Sequence, residues 1–236
     1  MNNKNGFKSF DLESFFCLNI TMKSKQNIDK IINGIKNANL PQTEFVKMME
    51  EFHDPFKVLI CCILSLRTND KTTYPCSLRM LELGQEPKDF LNVDVDTLAQ
   101  AIYPVGFYKN KAQQILDISK ELVEKYNSKV PKSIDELVKF KGVGRKTANL
   151  VMAKGFDTPA ICVDVHVHRI SNRLGWVKTK TPDETEMKLR KLIPEKYWLD
   201  INTILVTFGQ NLCKPQRPMC DKCPIKEYCN QFESSS

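Results

Sequence analysis

Three groups of residues in this chain have the types and spacing to do chemistry. The first is Phe140-Lys141-Gly142-Val143-Gly144-Arg145-Lys146. A Gly-x-Gly turn between helical segments tolerates positive φ and points successive backbone N–H groups outward. Beside a helix N-terminus, such amides form an anion pocket, and phosphate is its natural occupant because amides read no base. Gly142, Val143, Gly144 and Arg145 are therefore candidate nucleic-acid contacts. Lys146 opens the next helix and is a candidate nucleophile. An ordinary lysine, with a pKa of about 10.4, is protonated and cannot attack carbon. Desolvation, the positive end of the helix and the neighbours Arg145 and Lys141 are expected to lower that value. The plainer reading makes Lys146 one more phosphate contact.

Asp164, in Val163-Asp164-Val165-His166, lies 18 residues beyond Lys146. An aspartate ahead of a helical run is usually its N-cap. A capped carboxylate at a cleft is also rigid, which suits an acid–base residue. His166 and His168 stand two apart, so on a helix they point to nearly opposite sides and make a poor metal pair. His166 is expected to touch phosphate instead.

The third group is Cys213-x6-Cys220-x2-Cys223-x5-Cys229, four thiols within 17 residues. That density marks a metal site. Structural zinc usually shows two close cysteine pairs, and here only Cys220 and Cys223 are close. An iron–sulfur cluster also takes four thiolates, so the spacing leaves both open. Between Cys213 and Cys220, Lys214 and Arg217 sit on a proline-stiffened arc that would make a phosphate clamp if metal anchored both its ends. The remaining cysteines, Cys17, Cys61, Cys62, Cys76 and Cys162, lie mostly among apolar residues. An odd total of nine and an N-terminus that reads as lacking a signal peptide favour a reduced compartment over a secreted disulfide framework.

The elements that must position these groups read as helical throughout. Of 236 residues, 42% are hydrophobic and 27% charged, ordinary values for a globular protein, and the net charge of +7 suits a polyanionic partner. The longest apolar run, Val58 to Leu64, falls far short of the roughly 18 residues a membrane helix needs. Asp54-Pro55, Ser133-Ile134-Asp135-Glu136 and Thr181-Pro182-Asp183-Glu184 are helix starts. The segment Phe56 to Leu66 is apolar around nearly its whole circumference and belongs at the centre of a bundle. These signals predict an all-α protein of roughly ten short helices. Residues 1–24 read as a flexible arm, and 231–236 as a disordered tail.

Taken together, the hairpin Gly142 to Asn149, the Val163-Asp164-Val165-His166 segment and all three cysteine spacings resemble the endonuclease III family of DNA glycosylases, in the helix-hairpin-helix superfamily. The resemblance covers about Lys25 to Cys229. It implies two helical lobes flanking a DNA groove: a six-helix barrel over 48–159, with its hairpin at 134–155, and a lobe of 25–47 with 160–230 that carries a [4Fe–4S] cluster. It implies Lys146 as nucleophile, Asp164 as acid–base carboxylate, and Cys213, Cys220, Cys223 and Cys229 as cluster ligands. Phe107 falls where the family has an apolar wedge. Arg67 falls where it often has a glutamine that fills the gap left by the flipped base, a departure that bears on substrate range. The implied activity is a bifunctional glycosylase/AP lyase acting on oxidised pyrimidines, with a structural cluster. Its partner would be double-stranded DNA carrying damaged bases or abasic sites, met by a monomer in the cytoplasm at the nucleoid, or in a nucleus if the source has one.

Three rivals remain. An adenine glycosylase would carry a glutamate near Ile63, where this chain has no carboxylate. A thymine or uracil mismatch glycosylase is separated only by pocket shape. A non-catalytic DNA-binding module would explain the hairpin and the charge, but not a lysine and an aspartate together.

Overall fold

The computed structural model describes residues 24–233. The predicted arm, apart from Ser24, and residues 234–236 lie outside them. All regular structure among the described residues is helical: twelve α-helices, four short 3-10 turns and one π segment. Side-chain caps begin most of the helices that matter here. Thr43 caps α1's successor α2 (Glu44–Glu51), where α1 is Ile28–Asn37. Asp54 caps α3 (Pro55–Ser65), with proline in its first turn. Asn69 caps α4 (Asp70–Leu83) and Asp94 caps α5 (Val95–Ile102). Helix α6 (Tyr108–Lys125) starts without a side-chain cap, at Phe107 in left-handed conformation. Ser133 caps the single turn α7 (Ile134–Leu137), which leads through the hairpin to α8 (Arg145–Leu150). The π segment Val151–Gly155 extends α8. Asp164 caps α9 (Val165–Arg173) and Thr181 caps α10 (Pro182–Leu192). Helices α11 (Ile201–Asn211) and α12 (Asn230–Glu233) complete the chain.

Two hydrophobic cores organise these helices. The first runs from Phe45 to Ala160 and is threaded by α3, in which Val58, Leu59, Ile60, Cys61, Ile63 and Leu64 are fully buried. Helices α4, α6 and α8 and the π segment pack around it. Gly155 lets the π segment approach closely, since a Cβ there would lie 2.5 Å from the Pro55 Cα. The second core joins Ile28, Ile31, Ile32 and Ile35 of α1 to residues between Ile161 and Ile225. In it α9 packs on α10 and α11, and α11 packs on α1.

Two details differ from the expectation. Ser24, placed in the arm, is fully buried and its carbonyl accepts the Trp176 Nε1–H at 3.3 Å. Residues 230–233, predicted largely as tail, form α12. The Cys229 carbonyl accepts the Phe232 N–H at 3.2 Å, and Asn230 sits so close over Gly175 that a Cβ there would collide with it.

Candidate active site and nucleic-acid interface

Of the two hairpin glycines only Gly142 has positive φ, at 77°. Gly144 is extended and serves as N-cap of α8. Having no side chain, it leaves the first amides of that helix for an outside partner. Val143 contributes anchorage, since its side chain is buried in the first core and its N–H donates to the Phe140 carbonyl at 3.0 Å. A Cβ at Gly144 would meet nothing within 4 Å, whereas at Gly142 it would press on Gln114, whose Nε2 donates to the Lys141 carbonyl. The two alanine substitutions should therefore separate. Gly142→Ala should lower stability by about 1 kcal/mol or more. Gly144→Ala should leave melting unchanged but weaken DNA binding by about 1.5 kcal/mol, the worth of one charge-assisted hydrogen bond. Thermal melts and binding isotherms check both.

Lys146, in the first turn of α8, and Asp164, at the start of α9, line one groove of about 730 Å³. Lys146 belongs to a helix of the first core and Asp164 to a helix of the second. Asp164 Oδ1 accepts the N–H groups of His166 and Val167, both at 2.9 Å, which fixes the carboxylate. Among the described residues the Lys146 ammonium has no hydrogen-bond or ion-pair partner.

Its charge state differs from the expectation. Burial does push the Lys146 pKa down, but Cys162, Asp164, Cys62 and Asp70 push it up further, and the net direction is up. The cations expected to lower it are turned elsewhere. Arg145 Nε and Nη2 donate to the Glu186 carboxylate at 3.0 and 2.7 Å, and Lys141 is exposed. Lys146 therefore waits in the free protein as an ammonium.

Glu186 is buried and also accepts from Arg190 Nε at 3.0 Å, while Arg190 Nη2 donates to Asn149. Burial pushes the Glu186 carboxyl up, but Arg145 and Arg190 hold it below its ordinary value of 4.5. The pair's stabilisation is thus present above that value and lost as pH falls through the lower folded one. Glu186→Gln, which strands two guanidinium groups, should cost about 3 kcal/mol at neutral pH and less in acid, as read by thermal melts.

His166 also lines the groove. Its Nδ1 is 3.1 Å from Arg169 Nη2, and arginine can only donate. Burial lowers the His166 pKa, more than Asp164 raises it, so the ring is neutral and carries its proton on Nε2. His168 points away, with Nδ1 2.7 Å from the Thr185 hydroxyl. Arg67 lines the groove, and Phe107 stands beside it. Both have left-handed backbone, and the guanidinium carbon stands 5.7 Å from the ring centroid. Phe107 is 61% exposed, which separates it from the core aromatics.

Cys213, Cys220, Cys223 and Cys229 are free and line one pocket with the apolar side chains of Ile170, Leu174, Phe208, Leu212 and Ile225. Among the described residues no three metal-ligating side chains converge closely enough to hold a single ion. Helix α9 ties this pocket to the groove. Arg169 Nη2 donates to the Cys213 carbonyl at 2.8 Å, and Arg173 donates to the carbonyls of Lys214 and Pro215 and reaches the Cys213 sulfur at 3.3 Å. Lys214 and Arg217 are exposed on that loop and do not line the groove.

Sequence reasoning passed over Asp70. It follows Asn69, which does the capping of α4, so its own carboxylate is left to face the groove. There it accepts from the Thr43 hydroxyl at 2.7 Å and Gln210 Nε2 at 3.0 Å. The adjacent cap residues Asn69-Asp70 were the available signal. Lys154, also on the groove, pairs with Glu50 at 2.7 Å.

Comparison with known proteins adds to this geometry. Residues 60–195 match the HhH-GPD superfamily base excision DNA repair protein family. Endonuclease III of Thermotoga maritima is 49% identical over 192 residues, which cover 80% of this chain and 90% of that one. A non-covalent endonuclease III–DNA complex superposes with a TM-score of 0.78 at 34% identity, over 89% of this chain and 97% of that one. A trapped endonuclease III–DNA covalent intermediate gives 0.79 at 35% identity, over 89% and 98%. No helix of the described residues is long and apolar enough to cross a membrane. With sequence, fold and relatives in agreement, this chain belongs to the endonuclease III family of the HhH-GPD superfamily, the DNA glycosylases/AP lyases of base excision repair.

Proposed function

We propose that the enzyme removes oxidised pyrimidines from duplex DNA through a Schiff base on Lys146 and then cuts the strand by β-elimination. The observation that carries this reading is that Lys146 and Asp164, from different cores, face one groove. A damaged base is extruded from the stack at least cost where its pairing is already weak. The groove receives that nucleotide. Lys146 Nζ, freed of a proton that Asp164 accepts, attacks C1′ and the base departs. Asp164 also opposes the positive charge that develops on the sugar. The attached amine passes its extra proton to the departing base and then displaces O4′ from C1′, the ring oxygen taking the proton that Asp164 holds. The resulting imine acidifies the C2′ hydrogen, and its loss expels the 3′ phosphate.

The remaining residues serve binding. The hairpin amides of Gly142, Gly144 and Arg145 and the Nε2–H of His166 take backbone phosphates. Phe107 and Arg67 enter the duplex at the extruded nucleotide and fill its place. Lys214 and Arg217 meet phosphate farther along. Lobes of 48–159 and of 25–47 with 160–230 grip the duplex as a monomer, at the nucleoid or in a nucleus. Each phosphate neutralised should add about −0.9 to the slope of log affinity against log salt, which titrations at several salt concentrations will read.

Cys213, Cys220, Cys223 and Cys229 would hold a [4Fe–4S] cluster, which when bound supplies thiolate crosslinks that order the loop of Lys214 and Arg217. Four thiols lining one apolar pocket, of which only Cys220 and Cys223 are close along the chain, support that choice over zinc. Purified protein should be yellow-brown and contain iron and acid-labile sulfide in equal amounts. A colourless, zinc-loaded preparation would refute the assignment.

Borohydride trapping on duplex DNA with an abasic site tests the reaction. A covalent adduct mapped to Lys146 is expected; no adduct, or one on another lysine, overturns the mechanism.

A further inference from the structure

Lys111 is 5% exposed, and among the described residues its ammonium faces no carboxylate. Its three partners are neutral oxygens: the Leu64 carbonyl at 2.8 Å, the Leu66 carbonyl at 2.5 Å and the Thr68 hydroxyl at 3.3 Å. Burying a charge this way is unfavourable, and a methionine would fill the same space without that penalty. Burial alone pushes the Lys111 pKa down to about 8, the mark of a cation without a countercharge. A reason for keeping the charge lies in what the three oxygens belong to. Leu64 sits in the last turn of α3, whose carbonyls lack helical partners and form the negative end of its dipole. Leu66 and Thr68 flank Arg67, held at a φ of 55°.

The same lysine anchors the opposite loop. Its own N–H donates to the Phe107 carbonyl at 3.0 Å, fixing the left-handed residue that starts α6. Thr68 completes the link, since its hydroxyl accepts the Gly106 N–H at 3.1 Å. The loops touch closely enough that a Cβ on Gly106 would stand 3.0 Å from the Arg67 carbonyl oxygen.

We infer that Lys111 is a positioning residue that clasps the Arg67 loop to the Phe107 loop, so that the two exposed side chains act as one rigid probe of the space an extruded nucleotide leaves. This rests on the reading of Arg67 and Phe107 as the wedge. Rigidity matters because an uncoupled pair of loops would have to be ordered at the moment of extrusion. An abasic nucleotide has no base to extrude and makes less demand on the probe, while the chemistry at Lys146 is the same in both cases.

The experiment compares two single-turnover rates for each variant: release of an oxidised pyrimidine from duplex DNA, and cleavage at a preformed abasic site in the same duplex. Lys111→Met and Thr68→Val should each lower the first rate relative to the second by about tenfold or more, the scale of a small misplacement at a reacting centre. Thr68→Ser, which keeps the hydroxyl, should restore the wild-type ratio. Phe107→Ala should change the ratio in the same sense. If Phe107→Ala does so while Lys111→Met and Thr68→Val lower both rates in parallel, or neither, the clasp is refuted and the wedge stands. An unchanged ratio in Phe107→Ala overturns the wedge and the clasp with it. Should Lys111→Met fail to fold, the two Thr68 variants decide the matter alone.

Discussion

Replacing Lys146 with glutamine should abolish strand cleavage and borohydride trapping while the protein still folds and binds DNA. The change removes an amine that no other described residue holds, so no hydrogen bond or ion pair is broken in the free protein. It also removes a cation from beside the groove carboxylates Asp164 and Asp70, which leaves the binding surface more negative by one charge. DNA affinity should fall only a few-fold, because the hairpin amides and the other cations remain. Cleavage should fall by on the order of 10³-fold or more, because a carboxamide cannot form an imine. Gel assays on abasic-site duplex measure the loss, and a variant that still cuts would exclude Lys146 as nucleophile.

Asp164→Asn should slow base release by about 10²- to 10⁴-fold, the range of a general acid–base residue. Its effect on stability should be small. Asparagine caps helices as well as aspartate does, and its amide oxygen can accept from His166 and Val167 as the carboxylate oxygen now does. The carboxylate's proposed work has no amide equivalent: in the proposed reaction it takes the proton from Lys146, whose pKa its charge helps to raise. Asp164→Ala should share the kinetic defect and add about 1 kcal/mol of instability for the lost cap. Normal turnover in Asp164→Asn would reduce the residue to a helix cap.

Much of this architecture was legible before any coordinates. The caps Asp54, Ser133 and Thr181 mark helix starts through local hydrogen bonds, which a sequence states directly. The uninterrupted apolar run of α3 could only be central. The spacing of the four cysteines pointed to a shared site, and they line a common pocket. What the sequence did not disclose depends on partners distant along the chain. Arg145 looked like a cation lending its field to Lys146, but Glu186, 41 residues away, claims it. The Lys146 pKa is raised instead by Cys162, Asp164, Cys62 and Asp70, which outweigh its burial. Asp70 drew no notice because its groove-facing partners, Thr43 and Gln210, lie far from it along the chain. Nothing in the sequence sets Lys111 apart, and only the fold brings the end of α3 to it.

Helix α9 spans the distance between two kinds of chemistry. Asp164 stands at one end, and Arg169 and Arg173 grip the cysteine loop toward the other. A straight helix turns about 100° and advances about 1.5 Å for each residue. Inserting or deleting one residue between Asp164 and Arg169 would therefore swing the carboxylate out of the groove or pull the arginines off their carbonyls. Side chains along this rod can vary with packing, but its length cannot, and related enzymes that keep both ends should keep the same count of residues between them.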